Sequence, residues 1–260
     1  MNKLNDTIRQ IVVVFSIVIT LVVNGLANAL PINGQNTGQI SDRFHVYFVP
    51  AGYVFSIWAL IYLGLIAFAI FQALPSQSNN PRLRATGWFI SVGGLANSAW
   101  IFFWHYEQFP LTLIAMLVLL LTLIITYKGL GIGRVSVPAI EKWSAQLPFS
   151  IYLGWITVAT VANVTDLLDY FKWDGFGLPP EIWMMIVLFV VFTITTLMIF
   201  TYRDIAFTLV ILWALAGISF KHAGIPSVFI PTWITFGLIS IGLLISYLLP
   251  INRRYATKSI

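Results

Sequence analysis

The sequence predicts an all-α fold, a polytopic membrane helical bundle of about eight transmembrane helices. Three observations predict it. Of the 260 residues, 59% are hydrophobic and only 9% are charged, whereas soluble domains carry about a quarter charged residues. Mean hydropathy is +0.89. Apolar runs near the roughly 20 residues needed to cross a bilayer recur along the whole chain, separated by short polar loops. Backbone groups in lipid must bond within their own segment, so the runs are expected to be helices.

Composition also excludes chemistry. The chain has no cysteine, which removes disulfides, thiolate metal sites and cysteine nucleophiles. The net charge of +5 could suit nucleic acid, but the basic residues sit in loops between apolar runs. No nucleic-acid partner is expected; the lipid bilayer is.

The spans follow in order. The first covers residues 10–30. It has a rival reading: Lys3 and Arg9 precede the apolar stretch 11–23, and Ala27-Asn28-Ala29 resembles a signal-peptidase site. A polar loop, 31–50, leads to the second span at 51–74, where Pro50 and Gly52 punctuate the loop end. Pro75 and a polar run close that span. The third covers 85–104 and the fourth 109–127. The glycine-rich stretch 129–133 follows. No Lys-Ser/Thr pair follows it and no strand precedes it, so it reads as a flexible turn rather than a phosphate loop. The fifth span is 147–168, the sixth 181–202, the seventh 205–220 and the eighth 228–250.

Basic residues orient this layout. With a cytoplasmic N-terminus, Lys3, Arg9, Arg82, Arg84, Lys128, Arg134, Lys142, Arg203, Arg253, Arg254 and Lys258 fall on the cytoplasmic side. Arg43, Lys172 and Lys221 fall outside. Eleven against three is a strong positive-inside bias. The expectation is a multi-pass cell-membrane protein with both termini cytoplasmic.

Three spans share an unusual composition. The second holds Phe55-Ser56-Ile57-Trp58-Ala59-Leu60-Ile61-Tyr62, with Tyr53 just before it. Trp58 and Tyr62 are four apart and share a helix face. The third holds Ala96-Asn97-Ser98-Ala99-Trp100, and the fifth Tyr152-Leu153-Gly154-Trp155, then Ala159-Thr160 and Asn163. In these motifs the chain resembles the tryptophan-rich sensory protein family, also called the translocator protein or peripheral benzodiazepine receptor family (TspO/MBR). The family's W-x-x-x-Y is matched by Trp58 and Tyr62, its L-N-x-A-W by residues 96–100, and its Y-L-A-W-x-x-x-A-T-x-x-N by residues 152–163. The chain departs from the family at Ser56-Ile57, where one residue is missing between proline and tryptophan, at Ala96, and at Ile151. Family members typically have five helices. The resemblance therefore implies a five-helix membrane domain at 1–170 and an additional three-helix segment at 171–260.

The resemblance implies a non-enzymatic receptor, sensor or carrier for a flat hydrophobic ligand such as protoporphyrin or haem. No cofactor is required, and a bound porphyrin or haem is the ligand it points to. The implied ligand-binding residues are Tyr53, Phe55, Trp58, Tyr62, Asn97, Trp100, Tyr152, Trp155, Ala159 and Asn163. Indole faces can stack on a planar macrocycle, small residues admit a ring or a neighbouring helix, and amides can bond polar ligand edges. A porphyrin-degrading enzyme, a small-solute transporter and a homodimer built on the last helices remain alternatives.

Other residues have plainer readings. Trp88, Trp104, Trp143, Trp173 and Trp183 lie near span ends and are expected in interface belts. Asn97 and Asn163 can equally bond across helices as structural glue. His45, His105 and His222 are expected as solvated loop residues rather than metal or haem ligands. Asp166 and Asp169, three apart, read as a hydrated helix end. The sequons at Asn5 and Asn163 are expected to be unused.

Overall fold

The computed structural model describes residues 3–30 and 32–249; Arg253, Arg254 and Lys258, which entered the charge count, lie outside them. Among the described residues there is no strand. Eight long helices run through the chain: α1 (Lys3–Ala29), α2 (Ile57–Ala73), α3 (Pro81–His105), α4 (Phe109–Gly129), α5 (Ala139–Tyr170), α6 (Pro180–Tyr202), α7 (Ile205–Lys221) and α8 (Pro226–Leu248).

Six of these, with the turn before α2 included, are long and apolar enough to cross a membrane. The expectation of eight spans is therefore met by six clear candidates. The two exceptions have physical reasons. Helix α7 is apolar but has 17 residues, about 26 Å at 1.5 Å per residue, against a hydrocarbon core of about 30 Å. Helix α3 has 25 residues but its polar Thr86, Ser91, Asn97 and Ser98 lower its hydropathy. Those side chains are buried, because α3 sits between α1 and α4, its main packing partners. Its polarity faces protein, not lipid.

Helix starts follow local chemistry. Proline stands in the first turn of α3, α4, α6 and α8, where a missing N–H costs nothing. The Asn80 side chain accepts from Arg82 N at the start of α3, and Asp204 accepts from Phe207 N at the start of α7. Helix α5 begins eight residues earlier than the apolar run suggested, and its first turns include a π-helical stretch, Lys142–Gln146. The polar residues that hid this extension are paired. Arg82 grips buried Glu141 through Nε–Oε1 at 2.6 Å and Nη2–Oε2 at 2.8 Å, and Gln146 donates to the Leu130 carbonyl.

The loop before α2 is also more ordered than a polar linker. It carries a one-turn helix, Thr37–Ser41, closed by a capping box between Asn36 and Gln39. A 3-10 turn, Gly52–Ser56, then leads into α2.

Helices α6–α8 join the first five through α7, which packs along α5. Gly154 on α5 lies against the Phe207 backbone and Val210 of α7, so this small residue admits a helix. Gly217 on α7 does the same for the turn before α2: a Cβ there would collide with Val54 Cγ2. Beside it, Ala51 N donates to the Gly217 carbonyl and Trp213 Nε1 donates to the Val54 carbonyl at 3.1 Å. The last helices thus hold the turn that delivers Phe55 and Trp58.

Candidate functional site

A cavity of about 600 Å³ opens between α1, α2 and α3 beneath the loop that joins α1 to α2. Phe55, Trp58, Ala59 and Tyr62 come from the α2 side, Trp100 and Ile101 from α3, and Asn24 and Asn28 from α1. Asn36–Gln39 and Asp42 of the loop complete it. The middle of the loop is tethered through two adjacent residues, by Lys221–Asp42 and Arg43–Glu107 ion pairs, both 2.9 Å.

Aromatic packing fixes the walls. Trp58 and Tyr62 stack at 5.5 Å and 25°, as their spacing of four on one helix face requires. Tyr152 and Trp155 of α5 meet Trp58 edge-on from behind, at 6.0 and 6.2 Å, and Phe55 meets Trp155 at 5.6 Å. On the opposite side Trp100 stacks on Trp104 at 5.2 Å and 18°. Trp104 Nε1 donates to the Thr37 carbonyl at 3.2 Å, which ties this ring column to the loop helix.

A polar chain runs through the wall. Tyr62 Oη donates to Asn24 Oδ1 at 2.9 Å; Asn24 Nδ2 donates to Asn97 Oδ1 at 2.6 Å; Asn97 Nδ2 donates to Tyr152 Oη at 2.9 Å. It links α2, α1, α3 and α5 in sequence. Asn24, Asn97 and Tyr152 are all buried, where an unpaired amide or hydroxyl would cost about 1–3 kcal/mol. Asn97→Leu leaves Asn24 and Tyr152 without this partner. The expected outcome is a loss of about 1–2 kcal/mol of stability, read as an earlier unfolding midpoint in detergent, whereas Asn97→Gln is expected to lose less.

The structure separates the expected ligand-binding residues into three groups. Phe55, Trp58, Tyr62 and Trp100 line the cavity. Asn97, Tyr152 and Trp155 stand one layer behind and position the lining rings. Tyr53, Ala159 and Asn163 lie elsewhere. Tyr53 is 49% exposed and packs edge-on against Trp213 of α7. Ala159 packs against the hydrophobic core, and Asn163 donates to Thr112 Oγ1 of α4 at 3.1 Å, the cross-helix bond of a structural amide.

Several plain readings need correction. Trp104, expected in an interface belt, is 3% exposed and stacks behind the cavity-lining Trp100; Trp88 and Trp143 are exposed. His105, expected to be solvated, is fully buried with Nε2 3.3 Å from Thr37 Oγ1. His222 packs edge-on against Tyr47, and His45 alone is exposed. Asp166 is buried rather than hydrated, while Asp169 accepts from His45 N at 3.2 Å. Asn24 is the residue that sequence reasoning missed. Its signal was present: an amide inside the apolar run of a spanning helix, where polar side chains are costly and usually paired.

Among the described residues, no three His, Cys, Asp or Glu side chains gather as a metal-ion site. What the fold and cavity define is a multi-pass helical membrane protein with an aromatic pocket near the loop end of its bundle. The sequence profile of a family described as TSPO-like protein matches residues 10–245, and the chain belongs to that family. The match includes α6–α8 as well as the three motif-bearing helices. No curated protein and no solved structure matches the chain.

Proposed function

We propose that the chain binds a flat, hydrophobic ligand of the tetrapyrrole class in the cavity under the first loop, as a receptor, sensor or carrier rather than an enzyme. The observation that carries this reading is the cavity itself: about 600 Å³, within the range of about 300–1,000 Å³ typical of small-molecule sites. Its walls are indole and phenol rings, and amides stand at one side. Planar rings favour planar ligands, and the few polar groups can fix orientation. At the rim, Lys221 holds Asp42 in an exposed pair, which a ligand carboxylate can replace at little cost.

The topology that suits this reading has eight crossings, with α3 shielded by its neighbours and α7 crossing as a short helix. Both termini are then cytoplasmic and the pocket opens toward the outer face. The basic residues support that orientation by eleven to three. Titration of purified protein with protoporphyrin IX, followed by tryptophan fluorescence, tests the function. Saturable quenching is the expected result; linear, non-saturating quenching would remove the ligand class.

A further inference from the structure

A second cavity, of about 530 Å³, lies between α5 and α6, away from the first. It exists because α6 packs chiefly on α8 and leaves its other side open toward α5. We infer that this cavity is a lateral binding site for a cationic amphiphile: an alkyl chain carrying an ammonium head.

The head end is built from the α5–α6 loop. Trp173 and Trp183 meet at 4.6 Å and 61°, forming an aromatic corner. Trp183 is held by its Nε1 donating to the Gly175 carbonyl at 2.8 Å. The loop makes a sharp reversal to place Trp173 there: Lys172, Gly175, Phe176 and Gly177 all have positive φ. At Gly175 a Cβ would come within 2.8 Å of Trp183 Nε1, so both the conformation and the contact favour glycine.

Two carboxylates, Asp169 and Asp174, line the same end, and a third, Glu181, accepts from Tyr47 Oη beside it. His45 also faces the cavity, while Lys172 does not line it. Burial, followed by the Glu181 hydrogen bond and charge, holds the Tyr47 phenol above its ordinary pKa, so it stays a neutral hydrogen-bond donor to Glu181. Indole faces together with carboxylates attract ammonium groups by cation–π and direct charge. A phosphate or carboxylate head would meet repulsion.

The tail end is apolar. Val161, Val164, Val187 and Val190 extend the cavity along both helices. Val164 and Val190 are exposed on the bundle surface, so an alkyl chain can enter sideways from lipid. The site is thus amphipathic along its length, with its charged end at the loops.

The test uses two probes of equal chain length, a dansylated alkyl trimethylammonium and a dansylated fatty acid, with protein in uncharged maltoside micelles. Energy transfer from tryptophan reports binding. The ammonium probe is expected to bind about tenfold or more tightly than the carboxylate probe. The preference should shrink as salt rises from about 0.05 to about 0.5 M. Asp169→Asn with Asp174→Asn should cut the preference several-fold, leaving the part due to the indole faces and Glu181, with protoporphyrin quenching unchanged; Asn at 169 can still accept from His45 N. Val187→Trp, which fills the tail channel, should weaken both probes. Equal binding of the two probes by the wild-type protein would overturn the inference, and so would a preference undiminished by the double substitution.

Discussion

Asp204→Ala is expected to destabilise the protein by about 3–5 kcal/mol, more than the loss of the Asn97 amide. Asp204 is 7% exposed and accepts from three groups. Tyr127 Oη of α4 lies at 2.8 Å from Oδ2, Ser150 Oγ of α5 at 2.5 Å from the same oxygen, and Phe207 N of α7 at 3.1 Å from Oδ1. One carboxylate therefore caps α7 and joins it to two helices of the first five. Alanine removes the cap, worth about 1 kcal/mol, and leaves two buried hydroxyls without it. Hydrogen bonds to a charged acceptor are stronger than neutral ones, which is why the sum exceeds that of an ordinary cap. Thermal unfolding in detergent measures the loss. Asp204→Asn keeps an acceptor for the cap and is expected to lose about half as much.

Trp58→Ala is expected to weaken protoporphyrin binding by about tenfold or more. The indole lines the cavity and also touches Tyr62, Tyr152 and Trp155. Its removal takes away a stacking face and frees Tyr62, the first donor of the polar chain. Trp155→Ala acts differently. That side chain is 2% exposed and lies behind Trp58, so its loss is expected to lower stability at least as much as affinity. Comparing protoporphyrin affinity with unfolding midpoint for both variants separates the two roles. Equal affinity in Trp58→Ala and wild type would show that this face does not meet the ligand.

Much of the fold was legible because lipid imposes simple rules. Span length with proline and glycine punctuation located eight helices near their observed positions. Apart from α7, which is simply short, the misses share a cause: buried polar residues look like loop until their partners are known. Glu141 and Gln146 broke the apolar run ahead of α5, yet Arg82 and the Leu130 carbonyl satisfy them inside the bundle. The same applies to α3, whose Thr, Ser and Asn side chains face neighbours rather than lipid.

The site was partly legible. A spacing of four put Trp58 over Tyr62, and that pair lines the cavity. Asn97 was singled out, but its partner Asn24 was not, because no local pattern says which amides on different helices will meet. Trp104 sat at a helix end, where an interface belt and a buried supporting ring have the same sequence signature; its burial against Trp100 and its bond to the Thr37 carbonyl decide it. Tyr53 and Asn163 could not be placed from one helix alone. Their neighbours, Trp213 and Thr112, lie 160 and 51 positions away.

The most direct test of the central claim fills the cavity. Ala59 lines it between Trp58 and Tyr62 and is exposed within it, so Ala59→Trp adds an indole to the space without removing a wall or a hydrogen bond. Protoporphyrin titrations of the wild-type and Ala59→Trp proteins, followed by tryptophan quenching, give the answer. Saturable binding to the wild-type protein is expected, with its loss in a variant whose unfolding midpoint is unchanged. Saturable binding of equal affinity in both would contradict the central claim.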